Sequence, residues 1–225
     1  MSKLYIKGIT STLIGAVLFA AVIFGFAGTF DYWQGWLFFA MFEACSIALG
    51  IYFAIHDPKL VERRLNVGPT AEKETAQKII MTLALLGFVA LIAIPALDRR
   101  FGWSPTPAAV TVLASIAIAA SFVVFFRVMQ VNSYSAATIE VFEDQKVIST
   151  GPYALVRHPM YSGAVIMLLA TPLALGSWWG LVPAVLFLPV LAWRLLDEER
   201  YLVKNLPGYA EYMQKVRYHL VPQVW

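Results

Sequence analysis

Two short polar stretches flank the longest uncharged run of this 225-residue chain. The first, residues 153–161 (YALVRHPMY), carries Tyr153, Val156, Arg157, His158, Pro159 and Tyr161; the second, residues 193–199 (WRLLDEE), carries Arg194, Asp197, Glu198 and Glu199. Pro159 suits the first turn of a helix, where its missing N–H would have no partner anyway. A helix that begins there turns free backbone N–H groups and the positive end of its dipole toward Arg157, which makes a ready anion site. Arg194 and Glu198 are four residues apart and share a helix face, with Glu199 beside it. Brought together, the two stretches offer a cationic end, an anionic end, an imidazole and two tyrosine rings. A ligand with a carboxylate, an ammonium and an aromatic base fits that set, and S-adenosylmethionine has all three. Taken singly, the same residues have plainer readings. Arg194 with Asp197 or Glu198 is then a helix-surface ion pair worth about 0.2–0.5 kcal/mol, Arg157 an interfacial anchor and His158 a hydrogen-bonded interfacial histidine. Only the conjunction points to chemistry.

The elements that must bring the stretches together are membrane helices. Hydrophobic residues make up 60% of the chain and charged residues 14%, the composition of a polytopic membrane protein. Cys45 is the only cysteine, so neither a disulfide framework nor a cysteine-bound metal is expected. The glycine patterns of dinucleotide- and phosphate-binding loops are missing, so a cofactor must sit in a helical membrane scaffold. Runs long enough to cross about 30 Å of hydrocarbon lie at 8–30, 32–55 (interrupted by Glu43), 79–97 and 101–126. The final run, Pro159 to Trp193, is too long for one crossing. Gly176-Ser177 in its middle predicts a hairpin of two short helices, the alternative being one long tilted helix that Pro172, Pro183 and Pro189 disfavour. A hairpin puts 157–161 and 193–199 at the same interface. With six crossings, Lys3, Lys7, Lys59, Arg63, Arg64, Lys73 and Lys78 share one side with Arg127, Lys146, Arg157 and the basic residues after the hairpin. Of the 17 Lys and Arg, only Arg99 and Arg100 fall opposite. The positive-inside rule then places both termini and the polar stretches in the cytoplasm. Phe30, Tyr32, Trp33, Trp36, Trp103, Trp178 and Trp179 fall at the other interface as an aromatic belt. The first apolar segment reads as a retained span, not a cleaved signal. Glu43, mid-span, is costly unless paired or facing water, and reads equally as a packing or a pocket residue. Residues 56–78 read as a charged loop with a short surface helix, and 127–158 as an ordered lid or pocket wall.

The sequences GPYALVRHPMYSG (151–163), WRLLDEERYLV (193–203) and GYAEYMQKVRYHLVP (208–222) resemble the isoprenylcysteine carboxyl methyltransferase family and its relatives among phospholipid methyltransferases, over roughly 130–225. The apolar runs read as an all-α membrane bundle of five to six spans in one domain, 1–126 supplying four N-terminal spans, fewer spans than the eukaryotic pattern has, and the resemblance makes 127–225 the catalytic region. It implies S-adenosylmethionine held at the cytoplasmic face by Tyr153, Val156, Arg157, His158, Pro159, Tyr161, Glu198 and Glu199, with Arg194 facing the acceptor and Glu198 beside it as the catalytic residues. LPGY at 206–209 departs from the Phe-Gly pair of the eukaryotic pattern. A carboxylate acceptor of isoprenylcysteine type, with a pKa near about 4, needs no base, and Arg194 would hold it as a bidentate fork. A phospholipid amine would need one, from Glu198, Glu199 or His158. The expected partners are a lipophilic or lipidated acceptor and membrane lipids, with no nucleic acid; the oligomeric state is left open. A small transporter built on Glu43 and the broken last run, and a membrane reductase of sterol type, are the rival readings.

Overall fold

The structure is a computed structural model that describes residues 2–65, 67–72 and 74–225, with side chains from residue 8 onward. Lys73, and the side chains of Lys3 and Lys7 counted above, lie outside the described residues. The described residues form eight α-helices and no strand: α1 Ser2–Ala27, α2 Trp33–His56, α3 Pro58–Leu65, α4 Thr75–Phe101, α5 Ala108–Val131, α6 Pro159–Ala174, α7 Leu181–Asn205 and α8 Tyr209–Lys215, with a 3₁₀ turn at Gly151–Ala154. Four of them, α1, α2, α4 and α5, are long and apolar enough to cross a membrane. In the most apolar 18-residue window of α2 only 11% of residues are buried, so its hydrophobic side chains face outward as lipid contact requires.

Helix ends overrun the uncharged runs where polar groups find partners. The third span, expected over 79–97, continues through Asp98, Arg99 and Arg100 to Phe101. Asp98 is buried because its carboxylate accepts bonds from the Ser104 amide (2.7 Å), the Ser104 hydroxyl and the Ser177 hydroxyl. Gly102, in the left-handed region at φ 66°, then stops the helix. Phe101 therefore belongs to α4, and the fourth span begins only after Pro107. The last run does break, between Ala174 and Leu181, with Gly176 at φ 75°, and α7 packs back along α6. Pro172 and Pro189, expected to break a rod, are carried inside α6 and α7. One expected belt residue turns inward: Tyr32 is buried and donates its hydroxyl to the Leu175 carbonyl (2.5 Å), whereas Phe30, Trp33, Trp36, Trp103, Trp178 and Trp179 are exposed.

The core is a cluster of Ile23, Phe38, Ile92, Ile118 and Leu175 drawn from α1, α2, α4, α5 and the hairpin loop. Close helix contacts fix where α6 and α7 sit. A Cβ at Gly163 of α6 would come within 2.7 Å of the Phe125 ring on α5, and one at Gly87 of α4 within 2.6 Å of Phe187 on α7. These approaches seat the start of α6 against α5 and the first turns of α7 against α4. The surface helix expected in 56–78 is α3.

Candidate functional site

His158 caps α6 and Pro159 opens it. The Met160 and Tyr161 amides that follow have no acceptor among the described residues, the orphan donors of any helix start. What surrounds this turn is a C-terminal strap, 216–225. The Arg157 and His158 amides donate to the carbonyls of Tyr218 and His219 (both 2.9 Å), and the Ser162 hydroxyl donates to that of Leu220 (2.6 Å). The Arg157 guanidinium reaches the carbonyls of Val216 (3.0 Å) and Arg217 (2.7 Å) and pairs with Glu199, Nε to Oε1 at 2.6 Å. His158 Nε2 lies 3.0 Å from the same oxygen and His219 Nε2 3.3 Å from the other. All four side chains are buried or nearly so. Burial alone pushes the Glu199 carboxyl up, but hydrogen bonds from His158 and Arg157 and their nearby charge win and bring it down to about 2. Burial lowers His219, with Glu199 opposing the shift.

Glu198, one residue earlier on α7, points elsewhere. It accepts the Tyr161 hydroxyl at 2.6 Å and lines a cavity of about 400 Å³, within the range of small-molecule sites. The cavity is closed on one side by the start of α6 and the end of α7, and on another by the wall segment, from which Asn132, Tyr134 and 135–140 contribute. Residues 127–158 thus serve as the expected pocket wall. Arg64, Ile80, Met81 and Ala84 come from α3 and α4, so the first half of the chain also builds the site. Tyr153, Tyr209 and Tyr212 supply aromatic faces. Burial raises the Tyr153 hydroxyl to about 12, against a hydrogen bond from Asn132.

Of the residues singled out in the sequence, Tyr153, Arg157, His158, Pro159, Tyr161, Arg194 and Glu198 line this cavity, while Val156 and Glu199 are buried behind it. Arg194 makes neither of the ion pairs considered above. Its Nη1 donates to Glu72 Oε1 (3.0 Å) and Gln77 Oε1 (2.8 Å), and its Nη2 to Glu72 Oε1 (3.0 Å) and the Ala137 carbonyl (2.8 Å). Gln77 in turn donates to Asp197. Glu72 and Gln77 carry no motif and were invisible to sequence reasoning. Glu43 is half-buried, lines neither this cavity nor the second one described below, and has no polar partner among the described residues.

The residues present fit S-adenosylmethionine. Beyond the mixed charge of the lining, the Tyr209 hydroxyl is buried at the cavity wall without a hydrogen-bond partner. A buried polar atom left alone is costly, and a polar ligand would satisfy it. With the free amides of Met160 and Tyr161 for a carboxylate, Glu198 for a cation and the tyrosines for a base, each part of that cofactor has a counterpart. No group of His, Cys, Asp and Glu that could hold a metal occurs among the described residues.

No curated protein matches the chain. The sequence profile of the phospholipid methyltransferase family matches residues 109–207, which run from α5 through the wall segment and α6 to the end of α7, and so carry most of the cavity. That match, with four membrane-length helices, supports a methyltransferase embedded in the membrane.

Proposed function

We propose that the protein transfers the methyl group of S-adenosylmethionine to the amine of a membrane lipid, at the cytoplasmic face of the bilayer. The observation that carries the choice of acceptor is the state of Arg194. All four of its Nη hydrogens are engaged by Glu72, Gln77 and Ala137, so no bidentate fork is left for a carboxylate such as that of an isoprenylcysteine. The carboxylates of the lining are Glu140 and Glu198, and an anion suits a lipid ammonium as it suits the cofactor's cation. The family match to phospholipid methyltransferases agrees with this acceptor.

S-adenosylmethionine supplies an electrophilic methyl group on its sulfonium. The chain binds, aligns and dries the reactants. The Met160 and Tyr161 amides and the Tyr209 hydroxyl would hold the cofactor's polar ends. Glu198, oriented by the Tyr161 hydroxyl, accepts the proton of the lipid ammonium and leaves the nitrogen lone pair free. Glu199, behind the cavity, positions Arg157, His158 and the start of α6, which the strap ties down. A second cavity, about 340 Å³ and lined largely by Phe42, Leu49, Phe53, Phe122, Phe125 and Met129, suits an acyl chain. Arg64 lines both cavities, where it can meet a lipid phosphate between tail and amine.

The test is to incubate the protein in lipid nanodiscs with methyl-labelled S-adenosylmethionine and either phosphatidylethanolamine or a farnesylcysteine. Base-stable label in the phospholipid headgroup, formed faster as pH rises from about 6 to 9, is expected. Base-labile label released as methanol from the farnesylcysteine, at a rate flat in pH, would overturn the amine reading in favour of carboxyl methylation.

A further inference from the structure

Glu72 is the least expected residue near the site. It comes from the loop between α3 and α4, yet it is buried. Its Oε1 accepts both terminal nitrogens of Arg194 at 3.0 Å, and its Oε2 lies 3.4 Å from the Ile139 amide. The wall segment that carries Ile139 also supplies the Ala137 carbonyl to Arg194 (2.8 Å). Loop, wall and α7 are therefore locked around one neutral pair. Gln77 closes the last Nη hydrogen (2.8 Å) and is itself held by Asp197.

The consequence concerns charge. Arg194 lines the cavity, and an arginine there with a free fork would draw a lipid carboxylate. Paired with Glu72, it presents no net charge and no spare fork, while the Glu198 carboxyl lines the same cavity. A carboxylate brought into that setting meets like charge and loses its hydration without replacement. An ammonium meets Glu198. Among the other cations of the lining, Arg157 is neutralised by Glu199, Lys146 is exposed to water, and Arg64 keeps its charge but is turned to the Ser135 carbonyl (3.0 Å) and borders the second, apolar cavity as well.

We propose that Glu72 is a specificity-determining residue, which occupies Arg194 in place of an acceptor carboxylate and so restricts the site to lipids whose reacting group is an amine. The inference rests on the methyltransferase reading for its biological sense, but its test does not require turnover.

The experiment measures equilibrium binding of N-acetyl farnesylcysteine and of its methyl ester to the protein in nanodiscs, at neutral pH, for the wild type, Glu72→Gln and Glu72→Asp. The wild type should bind acid and ester within about threefold of each other. Glu72→Gln should raise the acid-over-ester preference about tenfold or more, the equivalent of about 1.4 kcal/mol, and Glu72→Asp should restore the wild-type ratio. An unchanged ratio in a Glu72→Gln protein with wild-type helicity overturns the proposal. So does a tenfold acid preference in the wild type, which decides the matter even if Glu72→Gln does not fold. If lipid amines are not methylated but these ratios behave as stated, the amine-transfer reading fails and the role of Glu72 stands.

Discussion

Replacing Glu199 by alanine should be among the most damaging single changes in the chain. The carboxylate is buried and accepts from Arg157 at 2.6 and 3.4 Å, with His158 at 3.0 Å and His219 at 3.3 Å. Its loss strands the buried Arg157 guanidinium, and breaking a buried pair in this way costs about 3–5 kcal/mol. The titration of the carboxyl gives an independent figure. A fall from 4.5 to about 2 corresponds to about 3 kcal/mol of preference for the charged, folded form. The sign follows: the folded-state value lies below the unfolded one, so the stabilisation is fully present above pH about 4.5 and is lost as pH falls from there toward about 2. For a chain of this length, 3–5 kcal/mol lowers the melting temperature by about 6–20 °C. The assay is thermal unfolding in detergent at pH 7 and pH 3.5, together with hydrogen exchange of the Arg157 and His158 amides, which the strap protects. Glu199→Ala should melt lower at pH 7, lose protection at both amides and show a smaller drop between the two pH values than the wild type. A shift under about 2 °C with protection intact would refute the assignment of Glu199 as the anchor of the strap.

Two further predictions concern the hairpin tip. Asp98→Ala removes the acceptor of three hydrogen bonds from Ser104 and Ser177 and should cost about 3 kcal/mol or more, read as a fall of about 6–12 °C in melting temperature; Ser177→Ala should cost about half as much. Gly180→Ala sets a Cβ 2.5 Å from Pro172 Cβ and 2.6 Å from Pro95 Cγ, and rings cannot rotate away, so it should destabilise by about 1–3 kcal/mol. Gly50→Ala, whose Cβ meets nothing within 4 Å, should instead be neutral or stabilising in the same melts.

The hairpin was legible because two signals agreed: an apolar run too long for one crossing, and a Gly176 whose φ of 75° other residues resist. The meeting of 157–161 with 193–199 followed from that hairpin alone. Helix ends were less legible, since Asp98 reads as the end of a span in sequence but is buried through serines 6 and 79 residues away. Tyr32 reads as a belt aromatic for the same reason: its partner, the Leu175 carbonyl, lies 143 residues on. The neighbours of Arg194 were hidden for a stronger reason. Glu72 sits in an irregular loop and Gln77 on the first turns of a span, and neither periodicity nor spacing links them to a residue more than a hundred positions later.

The adjacent pair Glu198-Glu199 shows how one helix divides two tasks. Successive residues of an α-helix point about 100° apart, so two carboxylates side by side in sequence face different surroundings. On α7 the second turns toward Arg157 and His158, where a charge can be buried because Arg157 Nε and Nη2 and His158 Nε2 surround it. The first turns toward Tyr161 and the cavity, where one hydrogen bond orients it and leaves acceptor capacity for a substrate. Opposite them, His158 at the cap of α6 and Tyr161 in its first turn each meet their own glutamate, His158 meeting Glu199 and Tyr161 meeting Glu198. Exchange of the two tasks is therefore not available to the chain: moving the charge from Glu199 to Glu198 would strand Arg157 without helping the cavity. Structure and chemistry are separated here by one residue, and the separation is a property of helix geometry.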